Sequence, residues 1–315
     1  MSRYHVLHET RYHYGSVVSL SQQMLHLSPR FCAWQICREF ALTLSPEPNW
    51  RRQGEDAFGN PVEWLAFYQP HERLSVRVEM RVDVLPHAPD RAREAASLSG
   101  AALAARLAYR SEPPLPEDLQ AKRFLFESPH IRVKHELAEW SAPCFVPHAP
   151  VLESARRLME KIYTEFEFDP NTTTVSTPVL EVLAKKRGVC QDFAHLMIAC
   201  LRAHSIPARY MSGYLLTAPP PGQPRLVGAD ASHAWVSVYA PEVAGADGRN
   251  ASTPWVDFDP TNNLLPDTQH ITLAWGRDFS DISPMRGVIL GGGGHEPEVA
   301  VTVTPEGRKI LIIPV

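Results

Sequence analysis

Residues 188–215 read GVCQDFAHLMIACLRAHSIPARYMSGYL, and this stretch decides the fold. From Cys190 to about His204 the apolar residues cover most of a helix circumference, which predicts a buried helix. Pro207 ends the helical pattern, and the strand-like run ARYMSGYLL follows at 208–216. A buried helix that leads directly into a strand predicts a core in which helices pack on a sheet.

The flanking segments extend this core. Upstream, apolar residues recur at helical spacing over 152–166, and Thr177-Pro178 starts a second helix as an N-cap followed by proline. Downstream, AWVSVY at 234–239 and WVDF at 255–258 are strand-like. Helices that precede strands along the chain are typical of an α+β domain.

The first third of the chain has a β pattern instead. Residues 73–85, RLSVRVEMRVDVL, alternate apolar and polar side chains, as a half-buried antiparallel strand does. Shorter alternations occur at 3–14, 36–44 and 62–68. These runs predict an antiparallel β domain at the N-terminus.

A change of pattern separates the two parts. The alternation stops over 88–125, where an alanine-rich segment precedes PPLP at 113–116. We therefore predict two domains, a β-rich N-terminal domain at 1–110 and an α+β core with C-terminal strands at 111–315.

Composition excludes several classes of function. The chain has 31 Lys and Arg against 35 Asp and Glu, a net charge of −4, so it has no basic field for nucleic acid. No run approaches the ~18 apolar residues of a membrane helix, and the start lacks the apolar run of a signal peptide. The five cysteines are odd in number and too few for a disulfide framework. We expect a cytoplasmic protein with no membrane or nucleic-acid partner.

Three residues of the second part have the chemistry of a thiol nucleophile and its base. Cys190 opens the buried helix, where unpaired N–H groups and the helix dipole favour a thiolate. His233 stands at the head of one predicted strand, and Asp259 stands at the end of the next. A thiolate, an imidazole and an orienting carboxylate are the groups that acyl transfer requires. We expect no cofactor and no metal, because this chemistry needs neither and no Cys/His cluster has ligand spacing.

Nearby residues compete for these roles. Asp257 shares a predicted strand face with Asp259 and is the alternative orienting acid. His195 is close to Cys190 in sequence, but at ~100° per residue it is turned roughly 140° away on the helix. We interpret His195 as structural, and Cys200 as a packing residue in the middle of the helix.

Several segments resemble a known family. Residues 188–215, SHAWVSVY at 232–239 and WVDFDPTN at 255–262 resemble the core of the bacterial transglutaminase-like superfamily, with its Cys, His and Asp in that order. YHVLHETRYHY at 4–14 and DAFGN at 56–60 resemble the β-rich N-terminal domain that accompanies this core in many bacterial proteins.

The resemblance implies a papain-like core, with helices packed on an antiparallel sheet. It also implies that Cys190 is the nucleophile, His233 the base and Asp259 the orienting acid. Such families tend to carry an upstream aromatic residue as a second oxyanion donor. Where a Tyr is common, this chain has Phe168, so the second donor is unassigned.

The implied reaction is cleavage or transfer of an acyl group at an amide bond of a peptide or protein, through a thioester. Water as the acceptor gives a cysteine protease or amidase, which we favour, and an amine gives a crosslinking transglutaminase. The third possibility is a non-catalytic protein-binding module on the same fold. Tyr214 and Trp235 are candidates for substrate binding, and the proline-rich loop 218–224 is expected to overhang the cleft.

Overall fold

The computed structural model describes residues 1–109, 114–216, 232–241 and 253–306. The predicted domain boundary at 110/111 and the proline-rich loop 218–224 lie outside these residues. Among the described helices, none combines the length and the apolar character needed to cross a membrane.

The first domain is an antiparallel sheet built around one long strand. Its strands are β1 (Ser2–Leu25), β2 (Gln35–Ser45), β3 (Trp50–Glu55), β4 (Pro61–Phe67) and β5 (His71–Val84), in the order β2-β5-β1-β4-β3. The alternation predicted over 73–85 is confirmed, because the apolar residues of β5 are buried. Asp83 is also buried, and its carboxylate accepts hydrogen bonds from Arg3 and Arg38.

Most of the helices lie between the first sheet and the second sheet along the chain. They are α1 (Arg91–Ala96), α2 (Gly100–Leu107), α3 (Pro116–Lys122), α4 (His135–Ser141), a short 3-10 helix (Ala142–Cys144), α5 (Val151–Glu165), α6 (Val179–Lys185) and α7 (Cys190–Ala203), with α8 (Phe279–Ile282) later in the chain. Nearly every residue of α7 after Gln191 is buried, as its apolar circumference predicts. Leu103 and Leu107 of α2 belong to the same apolar cluster as α7.

Two short strands that precede α7, β6 (Glu167–Phe168) and β7 (Arg187–Gly188), form a separate parallel pair. A second, antiparallel sheet packs against α7. The sheet consists of β8 (Ala208–Leu215), β9 (Ser232–Tyr239), β10 (Trp255–Phe258) and β11 (His270–Gly276), in the order β10-β9-β8-β11. Helices followed by this sheet confirm the predicted α+β core.

The chain then returns to the first domain. Strands β12 (Met285–Gly291) and β13 (Pro297–Pro305) both pair antiparallel with β1, β12 with its second half and β13 with its first. Val301 and Val303 of β13 are buried in the core of the N-terminal sheet. The two ends of the described chain therefore hold the same sheet together.

Polar and cationic contacts connect the two domains. His8 Nδ1 of β1 lies 2.8 Å from the hydroxyl of Tyr214 in β8, and both side chains are buried. The Arg209 guanidinium contacts the rings of Trp255 and Trp275, 4.3 and 3.8 Å from their centroids, and the Arg30 guanidinium lies 3.5 Å from the centroid of Trp275. Such cation–π contacts strengthen when they are removed from water.

The close approach of β8 and β11 requires a glycine. A Cβ at Gly213 would overlap the carbonyl oxygen of Ile271, whereas a Cβ at Gly100 would meet nothing. We predict that Gly213→Ala destabilises the protein by about 1–3 kcal/mol, the usual cost of overpacking. Gly100→Ala is the control and should not destabilise. Urea unfolding of both variants checks this, and equal midpoints would contradict the strand packing described.

Candidate active site

Cys190 is the first residue of α7 and is partly exposed. All five cysteines of the chain are free thiols. Burial raises the pKa of Cys32 and of Cys200 to about 12, and it also raises the pKa of Cys37 and Cys144. The reactive thiolate form of these four cysteines is therefore less populated at neutral pH than that of an ordinary thiol.

The start of α7 is held by Asp192 rather than by a cap residue with a polar side chain. The Val189 N–H donates to Asp192 Oδ2 at 2.8 Å, and the hydroxyl of Thr173 donates to the same oxygen at 2.6 Å. A Cβ at Gly188 would come within 2.7 Å of this carboxylate oxygen, so glycine is needed there. Asp192 therefore fixes the helix start that carries Cys190.

His233 connects the thiol to a carboxylate. It lies near the start of β9, and its Nε2 is 2.8 Å from Asp259 Oδ2. Burial by itself would lower the pKa of His233, but hydrogen bonds with Asp259 and Cys190 raise it to about 10. Because Nε2 faces Asp259, Nδ1 is the ring nitrogen left to face the Cys190 thiol. The imidazolium is therefore present at neutral pH and is lost as the pH rises through about 10.

Asp259 lies just beyond the end of β10, where it is fully buried. Its Oδ1 accepts from the backbone N–H groups of Thr261 and Asn262, at 3.0 and 3.2 Å. Its Oδ2 accepts from the Asn262 amide at 2.8 Å and from His270 Nε2 at 3.1 Å, besides His233. Burial would raise the pKa of Asp259, but the bonds with His233 and His270 hold it well below its usual range.

Asp257 has different partners, although it precedes Asp259 by only two residues. Its Oδ2 accepts from the indole N–H of Trp235 at 3.0 Å, and its charge acts on Arg209. Asp257 pairs with Ser237, on the face of β9 that also carries Trp235 and His233, so both aspartates face the same side and differ in the side chain that each one reaches. The structure therefore brings Asp259, and not Asp257, to His233.

His195 has its contacts on another side of α7. Its ring stacks on His130, with centroids 5.4 Å apart, and its Nε2 accepts from the Phe279 N–H at 3.2 Å. Burial lowers the pKa of His195 to about 3, so the ring is neutral. These contacts are those of a structural histidine.

The remaining residues singled out in the sequence lie around this centre. Tyr214 and Trp235 are fully buried, with their polar atoms on His8 and Asp257, so a role in substrate binding stays a prediction without a contact surface to support it. Phe168 is 55% exposed and lies on β6 beside Gly188. Its ring has no hydrogen-bond donor, so it supplies no side-chain contact to an oxyanion.

Sequence reasoning missed Asn262 and His270. Asn262 follows Asp259 by three residues, a turn spacing at which an amide can reach back to a carboxylate. His270 directly precedes the mostly apolar run ITLAWG at 271–276. A polar residue at the start of a buried strand is the signal by which the sequence could have indicated it. Within the described residues, His233, Asp259 and His270 also form a group whose ligand atoms lie within 4.8 Å of one another and could hold a metal ion.

Comparison with known proteins matches both parts of the chain. Residues 4–83 match the bacterial transglutaminase-like N-terminal region, and residues 139–260 match the transglutaminase-like superfamily. Uncharacterized proteins of Mycobacterium bovis and Mycobacterium tuberculosis are 39% identical over 304 residues, which is 96% of this chain and 93% of theirs. An uncharacterized protein of Mycobacterium leprae is 29% identical over 309 residues.

A solved structure shares the fold of nearly the whole chain. It is that of a "putative cysteine protease" from Cytophaga hutchinsonii, with a TM-score of 0.71, 19% identity, and coverage of 98% of this chain and 92% of that one. Two segments of this chain match the family, and the mycobacterial proteins are 39% identical to it along almost the full length of both chains. This chain therefore belongs to the transglutaminase-like superfamily.

Proposed function

We propose that this protein is a thiol-dependent enzyme that cleaves amide bonds of peptides or proteins through a thioester on Cys190. One observation carries the proposal: Cys190, at the N-terminus of α7, shares a hydrogen bond with His233, whose other ring nitrogen is 2.8 Å from the buried Asp259 carboxylate. A nucleophile, a base and an orienting acid in hydrogen-bond contact support acyl transfer.

The first half of the reaction uses the thiolate and the imidazolium. The Cys190 sulfur attacks the amide carbonyl carbon, and the carbonyl oxygen becomes an oxyanion. Backbone N–H groups at the start of α7 are the donors available to stabilise it. His233 gives its Nδ1 proton to the amide nitrogen, the C–N bond breaks, and the amine leaves while a thioester remains on Cys190.

The second half releases the acyl group. A water molecule attacks the thioester carbonyl while His233 Nδ1 takes a proton from it, so a carboxylic acid forms as the C–S bond breaks. The Cys190 thiolate and the His233 imidazolium are restored. Asp259 remains ionised throughout, since five hydrogen-bond donors surround its carboxylate.

Water is the acceptor that we favour. The structural neighbour from Cytophaga hutchinsonii, which shares the fold, is itself described as a "putative cysteine protease". The complete set of Cys190, His233 and Asp259 argues against a binding module that has lost its chemistry. Five free thiols are compatible with work in the reducing cytoplasm, which we propose as the compartment.

Products distinguish hydrolysis from crosslinking. The pure protein is incubated with a peptide library, with and without an added primary amine, and the products are identified by mass spectrometry. We expect peptide fragments or free acids in both samples, and none with Cys190→Ala. Amine-linked products in preference to acids would instead identify a transglutaminase, and no products in either sample would contradict the proposal.

We predict that iodoacetamide modifies Cys190 much faster than any other cysteine near neutral pH. The reason is that the pKa of each other thiol is raised by burial, while Cys190 has a base beside it. Peptide mapping over time measures this. Cys37 is the matched control because it is exposed, and faster modification of Cys37 than of Cys190 would refute the nucleophile assignment.

His233 and Asp259 should differ in what their loss does. We predict that His233→Ala reduces turnover to near background, because proton transfer is lost. Asp259→Asn leaves thiol and imidazole in place but misaligns them, a change that costs about 10⁴-fold in serine protease triads. Steady-state kinetics measure the turnover of both variants, which should be higher for Asp259→Asn than for His233→Ala.

Asp257→Asn is the control for Asp259→Asn. It removes a neighbouring carboxylate that bonds Trp235 instead of His233, so it should keep most of the turnover even if it lowers stability. The assignment of Asp259 is wrong if Asp257→Asn loses more turnover than Asp259→Asn.

A further inference from the structure

The Asp259 carboxylate has a second histidine partner that lies outside the family-matched segment. His270 is the first residue of β11, and its side chain is 1% exposed. Its Nε2 is 3.1 Å from Asp259 Oδ2, the same oxygen that accepts from His233 at 2.8 Å. The two imidazole rings therefore approach one oxygen from different strands of the sheet, with ring centroids 5.9 Å apart.

The proton in this contact has a fixed place. An ionised carboxylate only accepts hydrogen bonds, so His270 must carry its proton on Nε2. Burial lowers the pKa of His270, an effect that Asp259 offsets only in part, so the ring is neutral and has just this one N–H. Its Nδ1 is buried and has no hydrogen-bond partner among the described residues. His270 is thus a permanent donor, unlike His233, whose proton is exchanged.

The other groups around His270 allow a competing explanation. The ionisable groups that act on it are Asp259, His233 and Asp257. Its ring also packs edge-on against Trp235, with centroids 5.2 Å apart. The residue could therefore matter either as a hydrogen-bond donor or as an aromatic ring that fills space. These two roles require different atoms of the side chain, which makes them separable by substitution.

We propose that His270 is a positioning residue of the active site: by donating its Nε2 proton to Asp259 Oδ2, it keeps this buried carboxylate directed at His233. The inference rests on the proposed function for its catalytic meaning. Its physical basis is general, because a buried carboxylate that loses a hydrogen-bond donor is left with an unsatisfied oxygen, and Asp259 is fully buried.

Two substitutions separate the donor from the ring. His270→Phe keeps an aromatic ring on Trp235 but has no donor, whereas His270→Gln loses the ring but places an amide N–H at about the depth of Nε2. We measure the rate of Cys190 alkylation by iodoacetamide from pH 4 to pH 9 in both variants. His270→Val, a strand-compatible residue without a donor, replaces His270→Phe if the latter does not fold.

We expect His270→Phe to lower the alkylation rate at pH 7 by roughly tenfold or more, in line with the loss of a hydrogen bond to a charged group. We expect this loss over the whole pH range in which the wild-type thiol reacts, because it comes from the direction of the Asp259 carboxylate, which stays ionised in that range. His270→Gln should recover most of the wild-type rate. His8→Phe, which changes another buried histidine, should keep the wild-type rate.

Two results would overturn the inference. A His270→Phe profile equal to that of the wild type means that no donor is needed, and a profile worse for Gln than for Phe means that the ring alone matters. Alkylation requires no substrate, so it keeps this test apart from the proposed reaction. A wild type that is alkylated rapidly but cleaves no peptide would defeat the proposed function and leave the role of His270 to be judged from the profiles.

Discussion

A carboxylate that is removed from water needs donors around it, and Asp259 has five, from His233, His270, Thr261 and twice from Asn262. Its charge in turn holds His233 as an imidazolium beside the thiol. The site therefore depends on one buried anion. Residues from the end of β10, the start of β9 and the start of β11 must meet at one end of the sheet to hold it.

The rest of the fold positions this end of the sheet. Asp192 fixes the start of α7, and therefore Cys190, against the sheet. The N-terminal sheet supports the other side, where its residues contact β8 and β11 through Tyr214 and Trp275. Because β12 and β13 pair with β1, the N-terminal sheet is completed by strands that follow the α+β core along the chain. The sheet and the core are thus structurally dependent on each other.

Local patterns predicted much of this structure, and long-range pairing explains what they missed. The alternation over 73–85 and the apolar circumference of α7 are properties of single elements, so the local sequence predicts them. The pairing of β13 with β1 joins residues some three hundred positions apart and leaves no periodic signal. His270 reaches Asp259 because the chain between β10 and β11 crosses the end of the sheet. The two aspartates differ in the side chain that each one reaches, Trp235 for Asp257 and His233 for Asp259.

The central claim is that Asp259 holds His233 in its charged form next to Cys190. Nuclear magnetic resonance of protein labelled with ¹⁵N at histidine measures this directly, since ring nitrogens report their own protonation. The account predicts that both nitrogens of His233 carry protons at neutral pH, that one proton is lost near pH 10, and that Asp259→Asn lowers this midpoint. A His233 ring with a single proton at pH 7 in the wild-type protein would contradict the account.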